Sequence, residues 1–351
     1  MKSKSLLLLS VLLFITLAAK AQDPQFSQFY MAPLFQNPAL AGANHDLEAY
    51  LNYRNQWASV AIPYRTYAAS FAARIGKNPE TKSGFWAVGL NVFSDDDGSA
   101  AVATTEADLT VSYHVHTTQY SWLGAGLQAG YAQRSISYSG LQWGSQYDGM
   151  NYNAALPSYE PAGANSMGFI DGAAGVEWTY DNTSGGINVT DNHDLKGDVG
   201  FAMYHINQPK YSFYGNNERL AIRYAFNADA LISLSNSNVA LAPGMIAYYQ
   251  GGADEIFLGT LVRYKLKQAS KYTGVLKSSA FYIGGYYRAG DAFVAAMMYQ
   301  VSSYAFGISY DINASSLTQA SSGRGGVELS LSYAIPDPFA GTAKATNSMF
   351  N

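Results

Sequence analysis

"YAFGISYDI", residues 304–312, decides the reading of the whole chain. Tyr304, Phe306, Ile308, Tyr310 and Ile312 alternate with Ala305, Gly307, Ser309 and Asp311. A period of two puts the first set on one face of a β-strand and the second on the other. One face is greasy and the other is small or polar. Shortly afterwards Val327, Leu329, Leu331 and Tyr333 alternate with Glu328, Ser330 and Ser332 in the same way.

The pattern extends back through the sequence. Ala107, Leu109, Val111, Tyr113 and Val115 oppose Glu106, Asp108, Thr110, Ser112 and His114, while Ile222, Tyr224, Phe226 and Ala228 oppose Arg223, Asn227 and Asp229. Such segments run about ten to fifteen residues, against ~5–6 for ordinary soluble strands, and this length suits tilted strands that cross a bilayer. About fourteen of them fit between residues 46 and 335, among them 103–115, 121–134, 168–181, 193–206 and 220–234. Tandem sandwiches would also alternate, but they would need shorter strands and a linker, and no linker stands out.

The expectation is therefore an all-β protein: a transmembrane antiparallel up-and-down β-barrel of about 14 strands. A leader is expected at 1–21, a short N-terminal helical or irregular segment acting as plug or periplasmic cap at 22–45, the barrel at 46–335 and a tail at 336–351. Lys2 and Lys4, the apolar run Ser5 to Leu17 and Ala19-Lys20-Ala21 have the form of a cleavable secretory signal. With the N-terminus in the periplasm, the long connection 135–167 and those at 207–219 and 313–324 face outward, and those at 182–192 and 268–277 face the periplasm.

The chain has no cysteine, which removes thiol, disulfide and cysteine-metal chemistry. Its formal charge of −4 becomes about −7 once Lys2, Lys4 and Lys20 leave, so no nucleic-acid partner is expected. Zincin, nucleophile-elbow and phosphate-loop motifs are missing, and neither an enzyme nor a cofactor is expected. Gly124, Gly126 and Gly130 miss the dinucleotide spacing by one residue. Asp95-Asp96-Asp97-Gly98 lacks the ligand spacing of an EF-hand and reads as an acidic external loop, so no metal is expected. His114 near Asp108 or Glu106 is a possible hydrolytic pair without a nucleophile.

If the apolar faces meet lipid, Glu48, Arg54, Arg74, Glu106, Asp108, Arg223, Asp229, Arg263, Arg288, Asp311 and Glu328 face the lumen. Mixed signs favour ion pairs that brace the wall over an open eyelet. Tyr138, Trp143, Tyr147, Tyr152 and Tyr159, in the long loop, form either an exposed partner surface or a cover packed over the barrel mouth.

The segment "QDPQFSQFYMAPLFQNPALAG" at 22–42 carries helix signals. Asp23 and Pro24 read as N-cap and first helical position, placing Phe26, Phe29 and Tyr30 on one face. Pro33 should end that turn; Asn37-Pro38 should start a second one, closed by Gly42. The aromatic stripe either tucks into the periplasmic mouth as a plug or docks on a periplasmic component.

These residues also carry a resemblance. "DPQFSQFYMAPLFQNPALAG" at 23–42, "NYRNQWASV" at 52–60, "PYRTYAASF" at 63–71, "YHINQPKYSF" at 204–213, "FGISYDINASSL" at 306–317 and "GRGGVELSLSY" at 323–333 resemble, in order, the PorP/SprF family of Bacteroidetes membrane proteins. The resemblance implies an outer-membrane barrel beside the type IX secretion and gliding machinery. It further implies partners among periplasmic ring components, associated outer-membrane proteins, outer-membrane lipid and secreted adhesins with C-terminal signal domains. A passive, porin-like diffusion channel is the alternative. One departure is the tail: Pro336 and Pro338 stop the last strand after Tyr333.

Overall fold

The computed structural model describes residues 23–60, 62–75, 84–98, 102–138, 141–160, 163–182, 194–267 and 278–335. Residues 1–22, which include the expected leader, the connections at 183–193 and 268–277 and the tail at 336–351 lie outside the described residues.

Fourteen strands follow one another: β1 Leu47–Gln56, β2 Tyr64–Ile75, β3 Phe85–Asp97, β4 Val102–Thr118, β5 Ser121–Ile136, β6 Ser166–Asn182 and β7 Leu195–Tyr204, then β8 Arg223–Ser233, β9 Val239–Gln250, β10 Ala253–Lys267, β11 Ser279–Arg288, β12 Ala292–Val301, β13 Tyr304–Asn313 and β14 Arg324–Ile335. Each pairs antiparallel with its chain neighbours, and β1 meets β14 from Leu47↔Ile335 to Gln56↔Gly326. The sheet thus closes and keeps no free edge, as a spanning β-structure in lipid requires. Strand ends differ modestly from the sequence pattern. β4 continues to Thr118, because pairing with β5 sustains the ladder after the apolar alternation has faded, while Ile222 stays outside β8, whose pairing begins at Arg223.

The two faces follow the alternation. Phe306 is 52 % exposed on the outer wall while Asp311, on the same strand, is 3 % exposed within. Aromatic pairs gird both ends of the outer wall. Trp86–Tyr113 and Tyr304–Tyr333 lie near the end where β1 begins and β14 finishes, here the terminal end. Tyr224–Tyr249 and Tyr287–Phe293 lie near the opposite, loop end. Rings with an apolar body and a polar tip settle at such water–lipid boundaries.

The loop end carries the longest connection, 137–165. It contains a 3₁₀ turn at Gly144–Gln146 and an antiparallel bridge between Tyr147 and Tyr152. Asp148 tightens the bridge by accepting from the N–H groups of Met150 (2.8 Å) and Asn151 (2.7 Å).

Candidate functional site

The lumen is occupied by the chain's own N-terminal segment, which runs from one rim to the other. Asp23 stands at the loop end, where its N–H donates to Gln250 on the last rung of β9 (3.3 Å). The segment descends through a 3₁₀ turn at Phe29–Met31, an α-turn at Pro33–Gln36 and a 3₁₀ turn at Pro38–Leu40. It reaches the terminal end at Ala43, whose carbonyl accepts from Arg74 (2.9 Å), and enters β1.

Turns this short leave most backbone groups without helical partners, so the wall must supply them. Glu328 accepts from the N–H groups of Ser27 (2.7 Å) and Gln28 (2.9 Å), and the Gln28 amide is held by the Glu328 carbonyl and the Ser330 hydroxyl. Arg54 donates to the Gln25 carbonyl and, with Arg288, to Asp311, which also accepts from the Ser27 hydroxyl. Tyr204 donates to the Leu34 carbonyl (3.1 Å), Arg223 to that of Phe35 (3.2 Å) and Ser112 to that of Ala41 (2.8 Å). Asn37 is fully buried. Its amide donates to Glu177 (2.8 Å) and the Val176 carbonyl (2.9 Å), while its oxygen caps the third turn by accepting from Ala39 N–H (3.0 Å).

Apolar contacts lock the same segment. Phe29 packs among Phe257, Tyr286 and Tyr30. Phe26 packs with Phe35, Ala68 and Phe93. Burying one such ring contributes roughly 1.5–3 kcal/mol relative to exposure. The wall leaves room by using glycine. A Cβ on Gly126 would lie 2.5 Å from Ala39 N and the Pro38 carbonyl carbon, and one on Gly175 or Gly307 would run into the side chains of Asn37 or Gln28. Gly124 and Gly126, which together with Gly130 mimic a dinucleotide fingerprint in sequence, belong to this lining on β5, whereas Gly130 makes room for the Asp108 side chain of β4.

At the loop end a clasp fixes the start of the segment. His205 lies between Asp23 (2.7 Å) and Asp171 (2.9 Å), and Arg223 approaches Asp23 at 3.4 Å. Burial would raise the Asp23 carboxyl, but His205 and Arg223 overcome it and hold the group down at about 2. Burial would lower His205, yet the Asp23 and Asp171 carboxylates push it up to about 10. Asp23 and His205 therefore meet as an ion pair near neutral pH. On the terminal side of the plug the lumen keeps a cavity of about 470 Å³, bordered by Tyr30, Glu48, Asp198, Asp229 and Tyr286.

Several sequence expectations change here. Asp23 caps no helix, because its carboxylate is taken by the clasp. Pro33 opens a helical turn instead of ending one. Phe26 and Phe29 do not share a face: β3, behind Phe26, and β10, behind Phe29, stand seven strands apart in a ring of fourteen, so the two rings brace opposite walls. The segment fills the lumen up to the loop end rather than seating only in the periplasmic mouth. Asn37 and Pro38 start a turn, and Gly42 follows it with φ +66.

Of the charges assigned to the lumen, Arg54, Arg288, Asp311 and Glu328 form one buried network around Ser27 and Gln28. Arg74 pairs with Asp46, Arg223 with Asp23, and Arg263 with Asp194. Glu48, Glu106, Asp108 and Asp229 also face inward, with no Lys or Arg within 4.0 Å among the described residues. Much of the network braces the plug instead of the bare wall.

His114 bonds Ser112 and the Ala41 carbonyl and stacks on Phe85, with neither Asp108 nor Glu106 as partner. Asp95 and Asp96 lie in β3 and not in a loop, with Asp95 turned inward onto Thr66. In the long loop Tyr147, Tyr152 and Tyr159 are exposed, whereas Tyr138 and Trp143 are half-buried. The residues that sequence reasoning missed are Asp23 as an ion-pair partner, Ser27, Gln28, Asp171, Glu177, His205 and Asn227. The signal for them was the set of inward glycines, Gly124, Gly126 and Gly130 in β5 and Gly175 in β6, which widens the lumen on that side.

No curated protein matches the chain. Among solved structures it is similar to a deletion mutant of the TodX monoaromatic hydrocarbon channel (10 % identity, TM-score 0.47, 87 % of this chain and 94 % of that one). It is also similar to the translocator domain of the autotransporter NalP from Neisseria meningitidis (14 %, 0.37, 88 % and 96 %), and to a Pseudomonas aeruginosa FadL homologue (11 %, 0.45, 87 % and 94 %). The match to the family described as type IX secretion system membrane protein PorP/SprF runs over residues 18–333. With that match spanning nearly the whole plugged barrel, the chain belongs to the PorP/SprF family of type IX secretion system membrane proteins.

Proposed function

We propose that the protein is an accessory outer-membrane barrel of the type IX secretion and gliding machinery, helping to export or anchor surface proteins through protein contacts and not through catalysis. Family membership over residues 18–333 carries this reading. The filled lumen supports it, because a barrel closed by its own chain offers its rims as working surfaces. The loop end, with exposed Tyr147, Tyr152 and Tyr159, faces outward to secreted proteins bearing C-terminal signal domains. The terminal end faces the periplasmic ring and its associated outer-membrane proteins.

Mass spectrometry of surface and secreted proteins in a deletion strain tests the reading. Specific surface proteins should be lost while uptake of small solutes is unchanged. Cargo retained inside the cell indicates export, and cargo shed into the medium indicates anchoring; an unchanged protein profile rejects both. The cavity of about 470 Å³ favours a second reading, a diffusion channel. Steady conductance of the intact protein in planar bilayers would establish it.

A further inference from the structure

The cavity between the plug and the terminal end combines a facing pair of carboxyl groups with a buried carboxyl oxygen that has no partner among the described residues. Asp198 on β7 and Asp229 on β8 are directly opposed in register, and both line the cavity. Like charges facing each other across a ladder repel, and among the described residues neither has a Lys or Arg within 4.0 Å. Both side chains are half-buried and open to the cavity.

A second, independent observation points the same way. Glu48 is 2 % exposed and borders the cavity; its Oε2 accepts from the Tyr50 hydroxyl (3.1 Å), but Oε1 has no hydrogen-bond partner among the described residues. A buried carboxylate oxygen left without a donor is costly. The Tyr30 hydroxyl, on the plug's underside, is likewise unpartnered.

The rest of the lining sets the class of ligand. Tyr30, Tyr286 and Met298 supply an apolar, aromatic wall, and the Lys196 and Arg263 side chains that also border the cavity are engaged by Asp181 (2.6 Å) and Asp194 (3.1 Å). A volume of about 470 Å³ falls in the range of organic-ligand sites, ~300–1,000 Å³. It far exceeds a bare ion, and no group of three His, Asp or Glu among the described residues is arranged to hold a metal. Carboxylates beside tyrosine faces match a positive amine on a short apolar stem, through charge-assisted hydrogen bonds and cation–π contact. The turn residues Ser302 and Ser303 and the strand end Ala334 border the cavity at the terminal end, giving an entry from that side.

We infer that this vestibule binds an organic primary ammonium, carried either on a lysine side chain of a protein segment or on a free polyamine. The inference does not depend on the role proposed in secretion.

Calorimetric titration of the full-length barrel in detergent micelles tests it, with spermidine and acetyl-Ala-Lys-Ala-amide as separate probes. At least one should bind saturably at one site. Spermidine alone assigns the site to a free polyamine; the peptide, alone or with spermidine, assigns it to a lysine side chain. Binding should weaken at least tenfold in the Asp198→Asn/Asp229→Asn double variant and stay unchanged in Asp254→Asn, an exposed position at the loop end. If the double variant loses its sheet circular dichroism, Glu48→Gln alone should still weaken binding severalfold. The inference is overturned if neither probe binds, if the folded double variant (or, where that variant does not fold, Glu48→Gln) binds as the native protein does, or if the lysine peptide binds and its N-acetyl-lysine counterpart binds equally well.

Discussion

Asn37 shows how one side chain can make three contacts at once. It caps a turn, pairs with Glu177 and ties the plug to β6. Asn37→Ala leaves the buried Glu177 short of a donor and should cost about 1–3 kcal/mol of stability, measured by chemical unfolding of the purified barrel. His205 is the second such residue. Because its folded-state pKa is raised, to about 10, its stabilising charge is fully present below the unfolded value of 6.5. That contribution declines as pH climbs and is gone above about 10. The pH-dependent part of the stability difference between the native protein and His205→Asn, followed by thermal unfolding, should therefore be flat between about 3.8 and 6.5, where both partners are charged in either state, and vanish near 10. Asp23, held down at about 2, contributes above its usual 3.8 and loses that contribution as pH falls through about 2. Neither partnership is legible locally, since Asp23 and His205 are 182 residues apart and meet only once the barrel has closed.

At the scale of elements, the strands were largely legible and the plug was legible only in part. Alternation marks the strands because a bilayer on one side and a polar lumen on the other impose a strict period of two. The plug obeys no period: its three turns are shaped by wall groups from β1, β4, β6, β13 and β14. Asn37-Pro38 was readable because a cap and a proline act locally. Phe26 and Phe29 were misassigned to one face because the walls that receive them are tertiary. Phe29→Ala should destabilise the barrel by ~3–5 kcal/mol, seen as a lower unfolding midpoint, since the cavity left between Phe257 and Tyr286 has no local means of collapse. Gly126→Val should instead displace Pro38–Leu40 and expose the N-terminal segment to added protease, with strand content in circular dichroism retained.

For the molecule as a whole, the threaded segment sets the relation between wall and lumen. The native barrel should be silent or nearly so in planar bilayers. Removing residues 23–44 should give steady ion conductance, because the remaining wall encloses a lumen ringed by Glu48, Arg54, Asp108, Arg223, Asp311 and Glu328. If the shortened barrel folds and stays silent, the plug is not what closes it.

The sequence by itself determined the wall: strand number, outer and inner faces and the absence of cysteine follow from local alternation and composition. Only the tertiary structure decided what fills the wall. Closure brings residues from both ends of the chain onto one lumen, and that lumen selects the conformation of residues 23–46. The pairing of Asp23 with His205, the separation of Phe26 from Phe29 and the opposition of Asp198 to Asp229 all depend on distances through space that no local period encodes.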